Sequence, residues 1–422
     1  MRFFLPFFST VGSVPGRPGA APPPSRAVRR LELRLYAYAG LKDLVLLYPV
    51  YALLFAEHGL ETAEISSLFV LWSLTGLLAE VPSGVWADTV SRRLPLVVGA
   101  LMTGAGFALW TLLPSYPAFA VGFVLWGLGG ALGSGALEAL VYEELERLGE
   151  TARYPGLMGR TAAALTLATA VATALATPVF AVGGFLALGL ASTAVCVLCA
   201  LAAAVLPEHR ESRAAAGDEG DGRGYKATLR SGLGEVRRVP AVRSALLTVV
   251  VVTSVWGALD EYVPLLAAAT GAAIRDVPLL VLCVYAGVAL GGVLASRAGG
   301  IAPVRAAALL GAASVLLAAG GLSGTPAGFV LLAPAFLVFQ LIDVVADARL
   351  QDALPGSARA TVTSLAGLGA EASTLVVYGV YGAAAGFTGH GVLFALFASV
   401  YAVTAAGFAV RGRAGGRGAV PE

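Results

Sequence analysis

The feature that most limits this chain is a succession of twelve apolar runs, each about 20 residues long, joined by connections that range from a single residue to the polar stretch 207–243. They lie at 35–56, 65–86, 94–113, 117–140, 160–181, 183–206, 244–268, 277–297, 303–323, 327–348, 360–384 and 389–410. A helix of about 20 apolar residues crosses a hydrocarbon layer roughly 30 Å thick. Composition enters here as a check. Of the 422 residues 58% are hydrophobic and 13% charged, and the mean hydropathy is +0.81. Soluble domains carry about 25% charged residues. A soluble fold of this length would lack the charges to cover its surface. The expectation is an all-α, multi-pass membrane protein with twelve transmembrane helices.

The distribution of charge orients those helices. There are 28 Lys and Arg residues. All but Lys42, inside the first run, and Arg275, in the 7–8 loop, fall on one side of the twelve-run plan. The excess of basic residues marks the cytoplasmic side, so both termini are expected there. Residues 1–33 read as a disordered tail, whose apolar stretch Phe3–Phe8 is too short for a signal-peptide core. Residues 34–206 form a first six-helix bundle and 244–410 a second. Between them, 207–243 is a polar cytoplasmic linker with a short amphipathic helix at 225–238, and 411–422 is a C-terminal tail. The halves echo each other. Gly84-Val85-Trp86-Ala87-Asp88 closes run two, and Gly292-Val293-Leu294-Ala295-Ser296 closes run eight. Arg160-Thr161-Ala162 opens run five, and Arg359-Ala360-Thr361 opens run eleven. Both matches fall at a six-run offset, which implies two pseudo-symmetric bundles.

Several function classes lose support. A net charge of +2 gives no electrostatic reason to bind nucleic acid. Cys196, Cys199 and Cys283 all lie in apolar runs, where thiols are inert. His58, His209 and His390 lack ligand spacing, so no metal or other cofactor is expected. Gly127-Leu128-Gly129-Gly130 lies within a helix rather than after a strand, and reads as a packing motif, not a nucleotide fingerprint. Abundant Ala, Gly and Arg beside only two lysines, Lys42 and Lys226, points to a GC-rich bacterial genome, hence a cell (inner) membrane.

The loop after run two reads Gly84-Val85-Trp86-Ala87-Asp88-Thr89-Val90-Ser91-Arg92-Arg93. It resembles the signature loop of the major facilitator superfamily: Gly, an Asp four residues on, a basic residue, a Gly and a basic pair. Gly84, Asp88, Arg92 and Arg93 match, while Thr89 replaces the first basic residue and Ser91 the second glycine. The resemblance covers residues 35–410 and implies the fold of that family. Gly84 would permit close helix approach. Asp88 at the membrane edge would face a helix N-terminus or an arginine, a charge-assisted latch between states. Run four has no arginine at Phe123-Val124-Leu125-Trp126-Gly127, a departure from the many members that use one in proton coupling. Thr177-Pro178 and Gly183-Gly184 partly echo a motif of drug/proton antiporters.

Carboxylates inside the runs carry the most information, because each costs about 2.5–3.5 kcal/mol at mid-bilayer on insertion scales. In the family, spans 1, 7, 10 and 11 line or gate the central cavity. By that resemblance Glu371, Asp43, Asp260 and Asp343 are candidates for substrate or proton binding. Glu371 ranks first, with no cation within one helical turn of it in sequence. Asp347 is expected to pair with Arg349 at the cytoplasmic edge. Glu80, Glu138 and Arg160 are inner-gate candidates, and Glu143, Glu144 and Glu146 read as a solvated helix extension. The resemblance implies a secondary active transporter of a small molecule, working by alternating access as a monomer in the bilayer, with protons as coupling ion. Antiport-type efflux is preferred over proton-coupled import of a metabolite. A receptor or membrane-embedded enzyme is the other-class alternative, and the clustered His and acidic motifs an enzyme would need are missing.

Overall fold

The structure is a computed structural model, and it describes residues 25–209, 239–297, 301–354 and 356–416. The expected tail up to residue 24, the proposed helix at 225–238 and residues 417–422 lie outside them. Among the described residues every regular element is helical. The chain divides into two compact units, Met1–Arg213 with Ile274–Leu279, and Ala214–Ala273 with Leu280–Glu422.

The first unit holds α1 (Arg26–Lys42), α2 (Tyr51–Glu57), α3 (Thr62–Thr89), α4 (Arg93–Leu112), α5 (Tyr116–Gly133), α6 (Ala136–Arg147) and α7 (Tyr154–Ala204). The second holds α8 (Pro240–Asp260), α9 (Val263–Ala269), α10 (Val277–Ala295), α11 (Pro303–Leu322), α12 (Phe329–Asp352), α13 (Gly356–Ala385) and α14 (His390–Gly416). The starts follow local chemistry. The Ser25 hydroxyl accepts from the Val28 amide at 3.3 Å. Glu61 and Glu64 make a capping box for α3. Proline sits in the first turn of α5, α8, α9 and α11, where its missing N–H costs nothing.

Nine helical stretches among the described residues are long and apolar enough to cross a bilayer. Four expected runs take another form. The first run is broken: α1 ends at Lys42, turns occupy 43–50, and α2 follows. Pro49 cannot continue a helix, and the freed amide of Leu47 donates to Ser192 Oγ at 3.1 Å. Run seven is broken in the same way between α8 and α9, at Glu261 and Tyr262. Runs five and six are joined in the 51-residue α7, bent at Gly183 and Gly184. Gly184 has φ of 58°, in the left-handed region that suits a residue without Cβ. Run eleven corresponds to α13. Both outer boundaries move as well, since α1 begins at Arg26 and α14 continues to Gly416.

Packing repeats between the units. α4 lies against α5 and the second half of α7, and α11 lies against α12 and α14. These approaches need glycine. A Cβ on Gly99 would fall 2.6 Å from the Gly129 carbonyl oxygen, so the Gly-rich stretch of run four is indeed a packing surface. Gly84 is different: a Cβ there would meet nothing within 4 Å, so no close contact within the described structure explains it.

Candidate functional site

In the first unit, the break after α1 places Lys42 and Asp43 side by side, both half-buried. They line a cavity of about 70 Å³ together with Tyr38, Tyr48, Thr103 and Trp126. That volume holds a few waters at roughly 10–15 Å³ of probe volume each. Trp126 closes one wall and stacks on Tyr48, with ring centroids 5.5 Å apart, and on Trp72, at 4.6 Å. Phe123 also stacks on Trp126, and the aromatic cluster extends through tilted and edge-to-face contacts to Trp110 and Phe55. The Trp110 indole N–H donates to the Phe119 carbonyl at 3.0 Å. Cys196 and Cys199 on α7 reach the same cavity as free, buried thiols.

The second unit is built differently. Asp260 and Glu261 stand at the α8–α9 break with only 6% and 7% of their surface exposed, and Asp343 on α12 has 3%. The Thr253 hydroxyl on α8 donates to Asp343 Oδ1. Trp256, one turn along α8, is buried nearby, and Tyr401 on α14 donates to the Val252 carbonyl at 3.2 Å. Oδ1 of Asp260 has no hydrogen-bond partner among the described residues. Beside it, Tyr262 stacks on Tyr381 with centroids 3.6 Å apart, and the Tyr381 hydroxyl lies 2.8 Å from His390 Nδ1. No Lys or Arg occurs in residues 244–274, 306–348 or 360–410. Glu371 is half-buried on α13 and interacts with its surroundings rather than standing isolated. It is less enclosed than Asp260 or Asp343. Arg349, the expected partner of Asp347, donates to the Ile301 carbonyl.

At the arginine-bearing end of the first unit, Ser91, Arg92 and Arg93 of the loop before α4 are held by other elements. Arg92 pairs with Glu143 of α6 at 2.9 Å. Glu208, just beyond α7, accepts from the Ser91 hydroxyl at 2.8 Å and from the backbone N–H groups of Arg92 and Arg93 at 2.6 and 3.4 Å. A carboxylate thus sits on the N-terminus of α4, where orphan amides and the helix dipole favour negative charge. The Arg93 side chain donates to the Leu206 carbonyl at 3.3 Å. Glu144 is not solvated as expected. It is 3% exposed and accepts from the His209 amide at 2.7 Å and from Arg147 at 3.1 Å. The side chain of Asp88 lies outside those described.

The inner-gate grouping does not assemble. Arg160 pairs with Glu32 at 3.1 Å, not with Glu80 or Glu138. Glu80 is exposed and makes no ion pair among the described residues. Glu138 keeps Oε2 buried without a hydrogen-bond partner.

Residues 43–376 match the family model of the Major Facilitator Superfamily. The chain belongs to this superfamily. Solved structures with the same fold include the nucleoside transporter NupG, at 14% identity and a TM-score of 0.68 over 92% of this chain and 99% of that one. They also include the POT family transporter PepTSo, at 12% identity and a TM-score of 0.65 over 93% and 99%. The D-xylose-proton symporter matches at 12% identity and a TM-score of 0.65 over 90% and 96%. At such identities the likeness shows the fold. No curated protein matches the chain.

Within this major facilitator, sequence reasoning missed Glu208 and the buried state of Glu144. One signal was available: Pro207-Glu208-His209 follows the last apolar residue of run six directly, so its side chains cannot stray far from the helix ends beside it.

Proposed function

We propose that this transporter moves a small molecule outward in exchange for protons, by alternating access. The observation that carries the reading is that the first run of each half breaks at a charged pair, Lys42-Asp43 and Asp260-Glu261. Interrupted helices at corresponding positions of two repeats are the physical signature of a substrate and ion site in secondary transporters. Acids placed at mid-membrane despite their insertion cost argue the same way. Asp343 with Thr253 adds a third carboxylate, and Glu371 a fourth. Protonation removes a buried charge and favours one cavity-open state, while deprotonation or cation binding favours the other. Gly84, Asp88, Arg92 and Arg93 bias that equilibrium as a latch, with Arg92 held by Glu143. The partial antiporter echo at Thr177-Pro178 and Gly183-Gly184 supports export.

A second reading is proton-coupled import of a metabolite, favoured by fold neighbours named as nucleoside, peptide and D-xylose–proton transporters. Vesicles of known orientation separate the two. In everted vesicles carrying an inward-acid gradient, export predicts that an added compound panel elicits proton efflux and compound uptake. Uptake only by right-side-out vesicles would establish import. No proton movement in either orientation, beyond that of empty vesicles, would sink proton coupling. The reading also places both termini and the 207–243 linker in the cytoplasm of a bacterial cell. Reporter fusions after Arg213 and within residues 57–61 should then show opposite sidedness.

A further inference from the structure

We propose that a groove on the arginine-bearing face of the first unit is a recognition site for an organic ammonium cation. The groove has a volume of about 350 Å³ and runs between α6, the start of α7 and the loop before α4. Gly135 lines it with φ of 71° and no side chain to fill the space. Glu138 and Tyr142 are four residues apart on α6 and so project on one face. Tyr154 stands opposite, with its ring edge-to-face on Tyr142 at 5.5 Å between centroids. Arg92 and Glu143 form the remaining wall.

The charges in this groove do not cancel. Arg92 is engaged by Glu143 at 2.9 Å. The other nearby arginines are also committed, Arg147 to Glu144, Arg153 to Glu150 and Arg160 to Glu32. Glu138 makes no ion pair among the described residues, and its Oε2 is buried with no donor. A buried acceptor without a donor costs about 1–3 kcal/mol, so the site gains from a ligand that brings a positive charge. The two tyrosine rings select the form of that charge. A cation over or beside an aromatic face is attracted by the ring quadrupole, and the rings also cover an apolar body. An anion would meet Glu138, and a neutral apolar molecule would leave Oε2 unsatisfied. A metal ion would find only Glu138 and a Glu143 already paired with Arg92, and no group of three potential ligands occurs among the described residues. The volume is within the range of small-molecule pockets, roughly 300–1,000 Å³. If the reading as an exporter holds, this face is the one from which cargo is loaded, and the groove is its first contact with a cationic cargo.

The test uses the purified full chain in detergent micelles, without any gradient, titrated calorimetrically with benzyltrimethylammonium. The expected result is saturable binding that Glu138→Gln weakens about tenfold or more. Tyr154→Phe should retain binding because the ring remains, and Tyr154→Leu should lose several-fold. Glu146→Gln removes the same charge from an exposed position of α6 and should change nothing, which separates the groove from bulk electrostatics. No saturable binding by the unmodified chain, or equal binding by Glu138→Gln in a protein that elutes as a single species, would overturn the proposal. The vesicle experiment on the same variants keeps the two readings apart. Proton-coupled transport without binding in micelles sinks only the groove, whereas binding without proton-coupled transport sinks only the exporter.

Discussion

The two halves share a backbone plan and differ in how they balance charge. Each begins with a run that breaks at a charged dipeptide, and each packs its third run against its fourth and sixth. In the first half the dipeptide is Lys42-Asp43, opposite in sign, half-buried and beside a small cavity. In the second it is Asp260-Glu261, alike in sign and more than nine-tenths buried, with Asp343 enclosed on the neighbouring α12. The contrast teaches that a duplicated architecture does not duplicate chemistry. The first half carries its own counter-charge. The second places acids of one sign together, and protons, hydrogen-bond donors or a bound cation offset a buried charge of that kind.

The contrast is broken most directly at Asp343. Asp343→Asn keeps the shape and removes the charge, and gradient-driven transport should fall to about a tenth or less, the loss of a charge-assisted contact. Thr253→Val should act in the same direction with smaller effect, because it strands the carboxylate without its donor. Normal transport by both variants would remove Asp343 from the site. Next comes Glu371→Gln. The amide keeps the shape and removes the charge, so gradient-driven transport should fall while substrate exchange continues. Normal gradient-driven transport would make Glu371 a structural contact and move coupling to Asp43 or Asp260.

The first half offers a sharper comparison. Asp43→Asn alone removes the negative charge beside Lys42 and should cost about 1–3 kcal/mol of stability, less than the roughly 3–5 of a fully buried pair. Lys42→Met combined with Asp43→Leu should recover most of that loss. A double variant less stable in thermal melts than either single one would show that the pair is not self-balancing. The smallest effect belongs to the cap on α4. Glu208→Gln should lower stability by about 0.5–2 kcal/mol, the range of an N-terminal cap, and Glu80→Gln, an exposed change, should stay within about 0.5 kcal/mol.

Much of the helical plan was legible because a run of apolar residues has one physical use in a chain this poor in charge. Boundaries that depend on backbone conformation were legible only where glycine or proline announced them, as at Gly183 and Gly184. The break at 43–50 was missed because Leu44, Val45, Leu46 and Leu47 are as apolar as any helix interior, and only Pro49 marks the interruption. Side-chain partners were the least legible part. Arg160 and Glu32 meet across 128 residues, and Ser91 and Glu208 across 117. No local periodicity encodes such pairs. The isolation of Glu371 was inferred from its own helix alone, and neighbours in space come from other helices.

The contact of Glu208 with the start of α4 bears on how the protein is made. Its carboxylate lies 116 residues downstream of the Arg92 amide it accepts from. At roughly 5–20 residues per second of synthesis, α4 emerges about 6–23 s before its cap exists. During that interval the loop holding Ser91, Arg92 and Arg93 has no fixed anchor from this source. Early helices of the first half can therefore enter the membrane in a loose arrangement. Arg92 can meet Glu143 of α6 earlier, and the carboxylate on the α4 amides is added only when the sixth run has been delivered.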